Sequence, residues 1–446
     1  MAGEWRTAPL ESLYDFGSGL SKAREEFGFG YGFLSFKDVF HNYFVPATLS
    51  QLVNSTEKEQ QACSIVRGDV FLTRTSETMD ELGMSCVALK NYQGATFNGF
   101  TKRLRPKATS KIVPEYAGYY FRSPKFRRDV TAMSSLSTRA SLNNEMLGRL
   151  TIDLPPVEVQ AAIGSVLKEL DDKIELNRRM NATLEAMARA LFQSWFVDFD
   201  PVRAKLDGRE PVGLDAATAA IFPEHFEHGE HEMVPVGWRH ATIEELCAIN
   251  AWTLGKNDDF EMLEYVEISE VSRGNIASVA TYTRGEEPSR ARRRLRHGDT
   301  VLSTVRPDRG SYFLALNPPE NRVASTGFAV ITPTKVPWSF IHAAMTQPEV
   351  FDHLGQMADG GAYPAVRPEI IGAMKVALPN EPEILEAFHR TCAPLFEQAE
   401  ANRIQSRTLA TLRDTLLPKL LSGELSVTEA TCKGDLQVRS EGRLKP

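Results

Sequence analysis

LPPVEVQAAIGSVLKELDDKIELNRRMNATLEAMARALFQSWFVDFDPV, residues 154–202, is the stretch that organises this chain. After Pro155-Pro156 it runs to Val197 without a proline and with one glycine, Gly164. Ala, Leu, Glu, Lys, Arg and Met dominate it, and all are strong helix formers. Ile163, Leu170, Asn177, Leu184 and Leu191 lie seven residues apart. A sustained period of seven predicts a coiled-coil seam, which Val166, Met180 and Met187 are expected to flank. The spacing returns 225 positions later as Phe388, Leu395, Asn402, Leu409 and Leu416, with Leu412 beside it. Asn177 and Asn402 therefore share a heptad position. A polar residue in a seam costs stability but pins register, and that is the role expected of both. Pro394, inside the second helix, predicts a bend or an interruption there.

Working outward, the helix proves to be one part of a tandem repeat. Trp5-Arg6 recurs as Trp238-Arg239, 233 positions on, and Gly68-Asp69 as Gly298-Asp299, 230 on. Gly99-Phe100 matches Gly327-Phe328 at 228, Leu154-Pro155 matches Leu378-Pro379 at 224, and Asn177-Arg178 matches Asn402-Arg403 at 225. Each match alone is weak, but their shared order argues for duplication. Each repeat opens with a globular segment, 1–155 and 235–379. DVFLTRT, SCVALK, DTVLSTV, SYFLALN and FAVITP read as strands within these segments. PEYAGYYFRSPKFRRDVTAM and WSFIHAAMTQPEVFDHLGQM read as short helices. The long helices fill 156–197 and 380–425. Residues 198–234, rich in Pro, Gly and charge, read as a linker with a short helix at LDAATAAIF. Residues 426–446 lack a hydrophobic pattern and read as a flexible tail. The expected class is α/β (α+β).

Composition narrows the function. The chain has 446 residues, a net charge of −7, 42% hydrophobic and 24% charged residues. That is an ordinary globular balance, so wholesale disorder is excluded. No apolar run approaches the ~18 residues of a membrane span, and the start does not read as a secretory signal. Five widely spaced cysteines without a CxxC suit a reducing cytoplasm rather than a disulfide framework. Catalytic motifs are scarce. Asn317-Pro318-Pro319 lacks the following aromatic that a base-flipping methyltransferase needs, and reads as a turn. Gly28, Gly30 and Gly32 do not fit GxGxxG and read as a flexible loop. There is no GxxxxGK[ST]. His225, His228 and His231 have metal-like spacing but fall in the linker, without an apolar shell. The chain is therefore not expected to be an enzyme by itself, and no metal or other cofactor is expected on it.

Basic clusters are more telling in an acidic protein. Arg290, Arg292, Arg293, Arg294 and Arg296 fall within seven residues. Lys102, Arg103, Arg105 and Lys107 follow Gly99-Phe100, and Arg122, Lys125, Arg127 and Arg128 follow Tyr119-Tyr120-Phe121. Such clusters can neutralise phosphates, and arginine can read guanine edges with two hydrogen bonds. Arg74 and Arg306, just after the matched Gly-Asp turns, join them as candidates.

The 154–202 stretch closely resembles the central region of type I restriction-modification specificity subunits. So do LPNEPEILEAF, EANRIQSRTLATLRDTLLPKLLSGEL and the recurring Gly-Asp strand starts. The resemblance implies two target-recognition domains separated by two long antiparallel helices, with approximate two-fold symmetry. It implies double-stranded DNA, two methyltransferase subunits and restriction–translocase subunits as partners, in a bacterial or archaeal cytoplasm, with no membrane. S-adenosylmethionine, ATP and Mg would then sit on the partners, which would carry out adenine methylation, translocation and cleavage. A 40-residue helix is roughly 60 Å long. Two modules set that far apart could read two half-sites across an unread spacer, since the groove repeats about every 34 Å. Because the modules differ in most residues, the site should be asymmetric. The first module is expected to meet DNA through Arg74, Lys102, Arg103, Arg122, Lys125 and Arg139. The second is expected to use Arg290, Arg292, Arg293, Arg294, Arg306, Tyr363 and Arg367. The last two lie in GGAYPAVRP, which corresponds to SLSTRASLNN in the first repeat. Leu191, Phe192, Trp195 and Phe196 are expected on an outer helix face that a partner covers. Two other readings fit the same residues: a coiled-coil scaffold that never touches DNA, and the specificity subunit of a methylation-only or related defence system.

Overall fold

The structure is a computed structural model that describes residues 5–75, 81–134, 142–229, 233–255, 258, 260–361 and 363–427. The chain forms two compact units, Met1–Glu175 with Ser406–Pro446, and Leu176–Gln405. The boundary falls inside both long helices rather than at their starts, because each half-helix packs on the module beside it.

The two units repeat one topology. In unit 1 a four-stranded antiparallel sheet has the order Tyr14–Ser18, Thr101–Pro106, Val70–Thr73, Ser85–Val87. In unit 2 the order is Cys247–Ile249, Phe328–Pro333, Asp299–Ser303, Tyr312–Ala315. A second sheet with one parallel pair lies beside each: Phe27–Leu34 along Thr96–Phe97, and Met262–Val266 along Arg322–Ser325. Arg6–Pro9 pairs with Thr151–Leu154 where Trp238–Thr242 pairs with Lys375–Pro379. Leu10 N donates to Leu150 O at 2.8 Å, and Ile243 N to Met374 O at 2.9 Å. The expected helical stretches form Pro114–Tyr120 and Pro124–Ser134, then Trp338–Met345 and Pro348–Gln356.

The Gly-Asp turns show why the repeat is visible in sequence. Gly68 and Gly298 sit at φ +92° and +85°, which only glycine adopts freely. The following carboxylates are fully buried and accept from the backbone, Val66 N to Asp69 at 2.8 Å and Arg296 N to Asp299 at 2.6 Å. Their remaining partners differ. Arg105 grips Asp69 with two hydrogen bonds, of 2.8 and 2.6 Å, whereas Thr332 offers Asp299 one hydroxyl at 2.6 Å. Burial pushes the Asp299 carboxyl up to about 6. The strand register also corrects one match. Thr73 pairs with Thr101, and its counterpart Ser303 with Phe328. Gly327, not Phe328, is therefore the counterpart of Phe100. Gly28 and Gly30, expected in a flexible loop, lie in the strand Phe27–Leu34, at a bulge with φ +99° and +93°.

The long helices are Val157–Phe196 and Pro382–Ser422, of 40 and 41 residues. The second runs unbroken through Pro394, whose ring is on an exposed position. In unit 1, Asp171 pairs with Arg413 at 2.5 Å, and Ile163 and Leu167 share a core with Leu416 and Leu420. In unit 2, Asn177 meets Gln405, Asn181 meets Ala399, and Phe196 meets Phe388. Partners descend along one helix as they ascend along the other, so the segments are antiparallel in each unit. Gly164 is explained by contact: a Cβ there would lie 2.9 Å from the Glu115 side chain and 3.0 Å from Tyr116 N.

The expected seam line stays buried or half-buried, but its flank is different. Met180 and Met187 are exposed. The second buried line lies four residues on, at Leu167, Asn181, Ala188 and Trp195. Asn177 and Asn402 are buried, and a third asparagine completes the contact. Asn402 Nδ2 donates to Asn181 Oδ1 at 2.8 Å, Asn181 Nδ2 to Ala399 O at 2.9 Å, and Asn177 Nδ2 to Gln405 Oε1 at 2.9 Å.

Two further expectations change. Phe192, Trp195 and Phe196 are buried in the core of unit 2, with Leu191 packed against it, so they are not an outer face awaiting a partner. Their rings pack on Phe340 and Phe388. The stretch 198–234 is not a free linker. It forms the helix Asp200–Leu206 and the short helix Ala216–Ala220, and sends Phe199, Val202, Phe222 and Val234 into the same core. Replacing Asn402 by Leu should cost about 1–3 kcal/mol, because Asn181 loses its donor. Replacing Asn181 and Asn402 together by Leu should recover most of that loss in urea unfolding. A double variant no better than the single would show that the pair is not the unit of register.

Candidate nucleic-acid interface

The basic side chains divide by what they touch. Arg122 is largely buried and bonds four carbonyls, Ser85 O at 2.6 Å, Val39 O and Phe40 O at 2.8 Å, and Asn42 O at 2.9 Å. Burial lowers its pKa from the usual arginine value. It is an internal staple, since a guanidinium in the interior must spend its donors on buried acceptors. Lys102 is buried and reaches Ser18 Oγ at 2.9 Å, and Arg103 bonds Ser64 O at 2.8 Å and packs on Phe97. Lys125 is half-exposed and paired with Asp153. Arg103 and Arg122 are therefore corrected from DNA contacts to structural residues. Lys102 and Lys125 are tied to their own unit. Arg139 lies outside the described residues.

In unit 2 the five-arginine run becomes the edge strand Ala291–Arg294 of the second sheet. Arg292 pairs with Glu287 at 3.2 Å, and Arg294 with Asp258 at 2.9 Å. Arg293 Nε is buried without a hydrogen-bond partner among the described residues, and burial lowers its pKa. Arg292 and Arg294 brace the edge through these acids, and the Arg294 guanidinium lies over the Phe260 ring. Arg290 is exposed, and Arg296 lies over the Trp252 ring at 3.5 Å.

A common surface forms where the central strands end. In unit 1, Arg74 N donates to Phe100 O at 3.0 Å, and Leu142 N donates to Arg74 O at 2.8 Å. In unit 2, Thr304 N donates to Gly327 O and Val366 N to Thr304 O, both at 2.9 Å. The same three segments thus meet in both units, which supports the correspondence of GGAYPAVRP with SLSTRASLNN. Thr326 N donates to Arg290 O at 2.8 Å, and Arg306 N to Pro364 O at 2.7 Å. Arg290, Arg306, Tyr363 and Arg367 are thereby gathered at one end of unit 2. The Arg306 guanidinium sits 4.6 Å from the centre of the Tyr363 ring, and that ring is 72% exposed. Arg306 holds φ +47°, a left-handed conformation that a non-glycine residue adopts at some cost.

Arg273 was not singled out by sequence. It sits at φ +41° in the turn between Val271–Ser272 and Asn275–Ile276, and its N–H donates to Gly310 O at 3.0 Å. The Arg-Gly pair in SRGN was the available turn signal. Among the described residues there is no group of three or more His, Cys, Asp or Glu able to hold a metal. His225 and His228 are exposed, and His231 lies outside the described residues. Asn317 lies in a bend, and the chain turns over Pro319 to Arg322, with Arg322 N bonded to Pro319 O at 2.9 Å. Among the described residues no helix is long and apolar enough to cross a membrane.

Residues 3–186 match the family model of the type I restriction modification DNA specificity domain. The chain is 24% identical to the type I restriction enzyme HindI specificity subunit of Haemophilus influenzae, covering 88% of this chain and 94% of that one. It is 25% identical to the MjaIX specificity subunit of Methanocaldococcus jannaschii, covering 96% and 94%. Its fold resembles the crystal structure of the type I restriction-modification system S subunit from M. genitalium. The TM-score is 0.55 at 14% identity, over 94% of this chain and 96% of that one.

The division of the arginines has a direct test. Arg122→Ala should lose at least about 3 kcal/mol in urea unfolding, as four carbonyls lose a shared donor. Arg290→Ala should stay within about 0.5 kcal/mol of the parent. In a duplex-DNA titration at several salt concentrations, Arg290→Ala should lower the salt slope by about one. Equal stability losses in both variants would contradict the division.

Proposed function

We propose that this chain, a member of the type I restriction-modification specificity-subunit family, reads a split, asymmetric DNA site for a methyltransferase complex. The observation that carries this reading is the shared strand-end geometry of the two units, which present different side chains on one backbone plan. Arg74 and Phe100 stand at that end in unit 1. Arg290, Arg306, Tyr363 and Arg367 stand at it in unit 2. Two similar frames with different reading residues suit two different half-sites.

The chain is proposed to be non-catalytic. S-adenosylmethionine, ATP and Mg would be held by its partners, two methyltransferase subunits and restriction–translocase subunits. Phosphate contacts from exposed arginines would give affinity for any duplex, and base contacts would give selectivity. For methyltransferase docking, the side chains that fit are Leu176, Met180 and Met187 rather than the buried aromatics. All three are exposed on the first long helix, at spacings that place them on one face. Methionine suits such a surface because its flexible thioether adapts to a partner.

Two measurements test this reading. Methylated adenines mapped across the native host's genome, with the gene intact and deleted, should lose one split motif on deletion. Exchange of the 1–155 segment for that of another specificity subunit should then change one half of the motif. A methylome indifferent to deletion would overturn the reading. Separately, Met180→Glu with Met187→Glu should leave unfolding of the isolated chain unchanged while the methyltransferase subunit no longer co-purifies. Undiminished co-purification would move the docking surface elsewhere.

A further inference from the structure

Phe100 is 60% exposed, at a point where the fold does not ask for an aromatic. A single exposed apolar residue is ordinary in itself. Three features set this one apart. The first is stiffness. Phe100 N donates to Asn98 Oδ1 at 2.7 Å, Thr101 N to Asn98 O at 3.0 Å, and Gly99 N to Leu20 O at 2.9 Å. A Cβ at Gly99 would lie 2.3 Å from Ser21 Oγ, so the turn is closed tightly behind the ring. The backbone that carries the ring is fixed, so the turn gives up little freedom on contact.

The second feature is the counterpart. The carbonyl that receives the strand-end hydrogen bond belongs to Phe100 in unit 1 and to Gly327 in unit 2. A Cβ at Gly327 would come within 2.3 Å of Ile268 Cδ1. One unit therefore closes this position with its own isoleucine, and the other sends a phenyl ring into solvent. The backbone is shared and the displayed chemistry is not.

The third feature is charge. Arg74 bonds the Phe100 carbonyl through its own backbone N–H, and Lys102 lies two residues on. Burial, and then the Arg74 charge, push the Lys102 ammonium down from the usual lysine range. An anion brought to this end relieves that repulsion. Phe29 and Tyr31 are also exposed, but lie in the first part of the strand Phe27–Leu34. Asn98 is tied instead to its last residue, with Asn98 N bonded to Leu34 O at 3.0 Å.

We propose that Phe100 is a specificity-determining residue of unit 1 that packs against the methyl group of a thymine in its half-site. This rests on the DNA-reading role proposed above. A phosphate neutralising Arg74 would bring the Phe100 ring to the base edges. Thymine is the base with a methyl group in the major groove, so an apolar side chain there discriminates it from cytosine.

The full chain with Phe100→Ala is placed in the native host, and its methylome is compared with those of the parent and the deletion strain. One position in one half of the motif should relax from thymine to accept cytosine, with the other half unchanged. In the purified complex, deoxyuridine at that position should cost the parent about fourfold in affinity, the worth of one methyl group removed from water, and cost the variant nothing. The thermal unfolding midpoint should not move. A motif that survives intact, or an equal loss of affinity at every position, overturns the inference. If deletion itself leaves the methylome unchanged, it is the function that fails; if only the variant is silent, it is Phe100.

Discussion

Each long helix carries an apolar line that must be kept from water along 40 residues, and the rest of the structure follows from how this is done. In unit 1 the line is covered by the end of the second helix and by the module helix Pro114–Tyr120. In unit 2 it closes on an aromatic cluster. Phe196 is within 5.1 Å of the Phe388 ring and 4.9 Å of Phe340, and Trp195 is 5.1 Å from Phe222. Aromatic pairs at these separations add to the area they bury. The helices are therefore parts of each unit's core, and this is why the compact units divide within them. It also explains why residues 198–234 cannot be loose, since Phe199 and Phe222 belong to the cover.

Burying such a line apolar throughout would leave its register free, because one leucine layer fits another almost as well. The asparagines change that. An amide in the seam is tolerated only where its donors and acceptors are met, and a shift of one turn leaves them unpaired. Asn181 and Asn402 meet each other, and both also reach the facing helix or their own. The cost of burying amides is thus exchanged for one alignment of the helices.

How far the sequence could be read follows the same division. Backbone obligations repeat, so they were legible: the Gly-Asp turns, the buried strand runs and the period of seven, whereas the antiparallel pairing came only from the family resemblance. The second seam line was missed because Asn181 is polar and Ala188 is small, whereas the exposed Met180 and Met187 are large and apolar. The Gly-Phe match slipped by one residue because dipeptide identity outvoted strand register, which only pairing reveals. The basic residues were the least legible. Arg122 and Arg290 are the same letter, but one bonds four carbonyls and the other faces water. A cluster of arginines along a chain becomes a braced sheet edge once alternate positions find Glu287 and Asp258.

The strand ends show why a fixed fold can serve changing surfaces. Their geometry is carried by backbone hydrogen bonds that need no particular side chain, from Arg74 or Thr304 to the opposing loop. Side chains displayed there are exposed, and substitutions at exposed positions usually change stability by less than about 0.5 kcal/mol. The buried positions behind them have no such freedom. Asp69 fixes its turn through Arg105, and Asp299 fixes the equivalent turn through Thr332. Either solution holds the same strand, so the frame constrains what is behind the reading surface and leaves the surface itself open. On such a frame an exposed side chain such as Phe100 can change without loss of the core, whereas the matching Gly327 is held to glycine by Ile268.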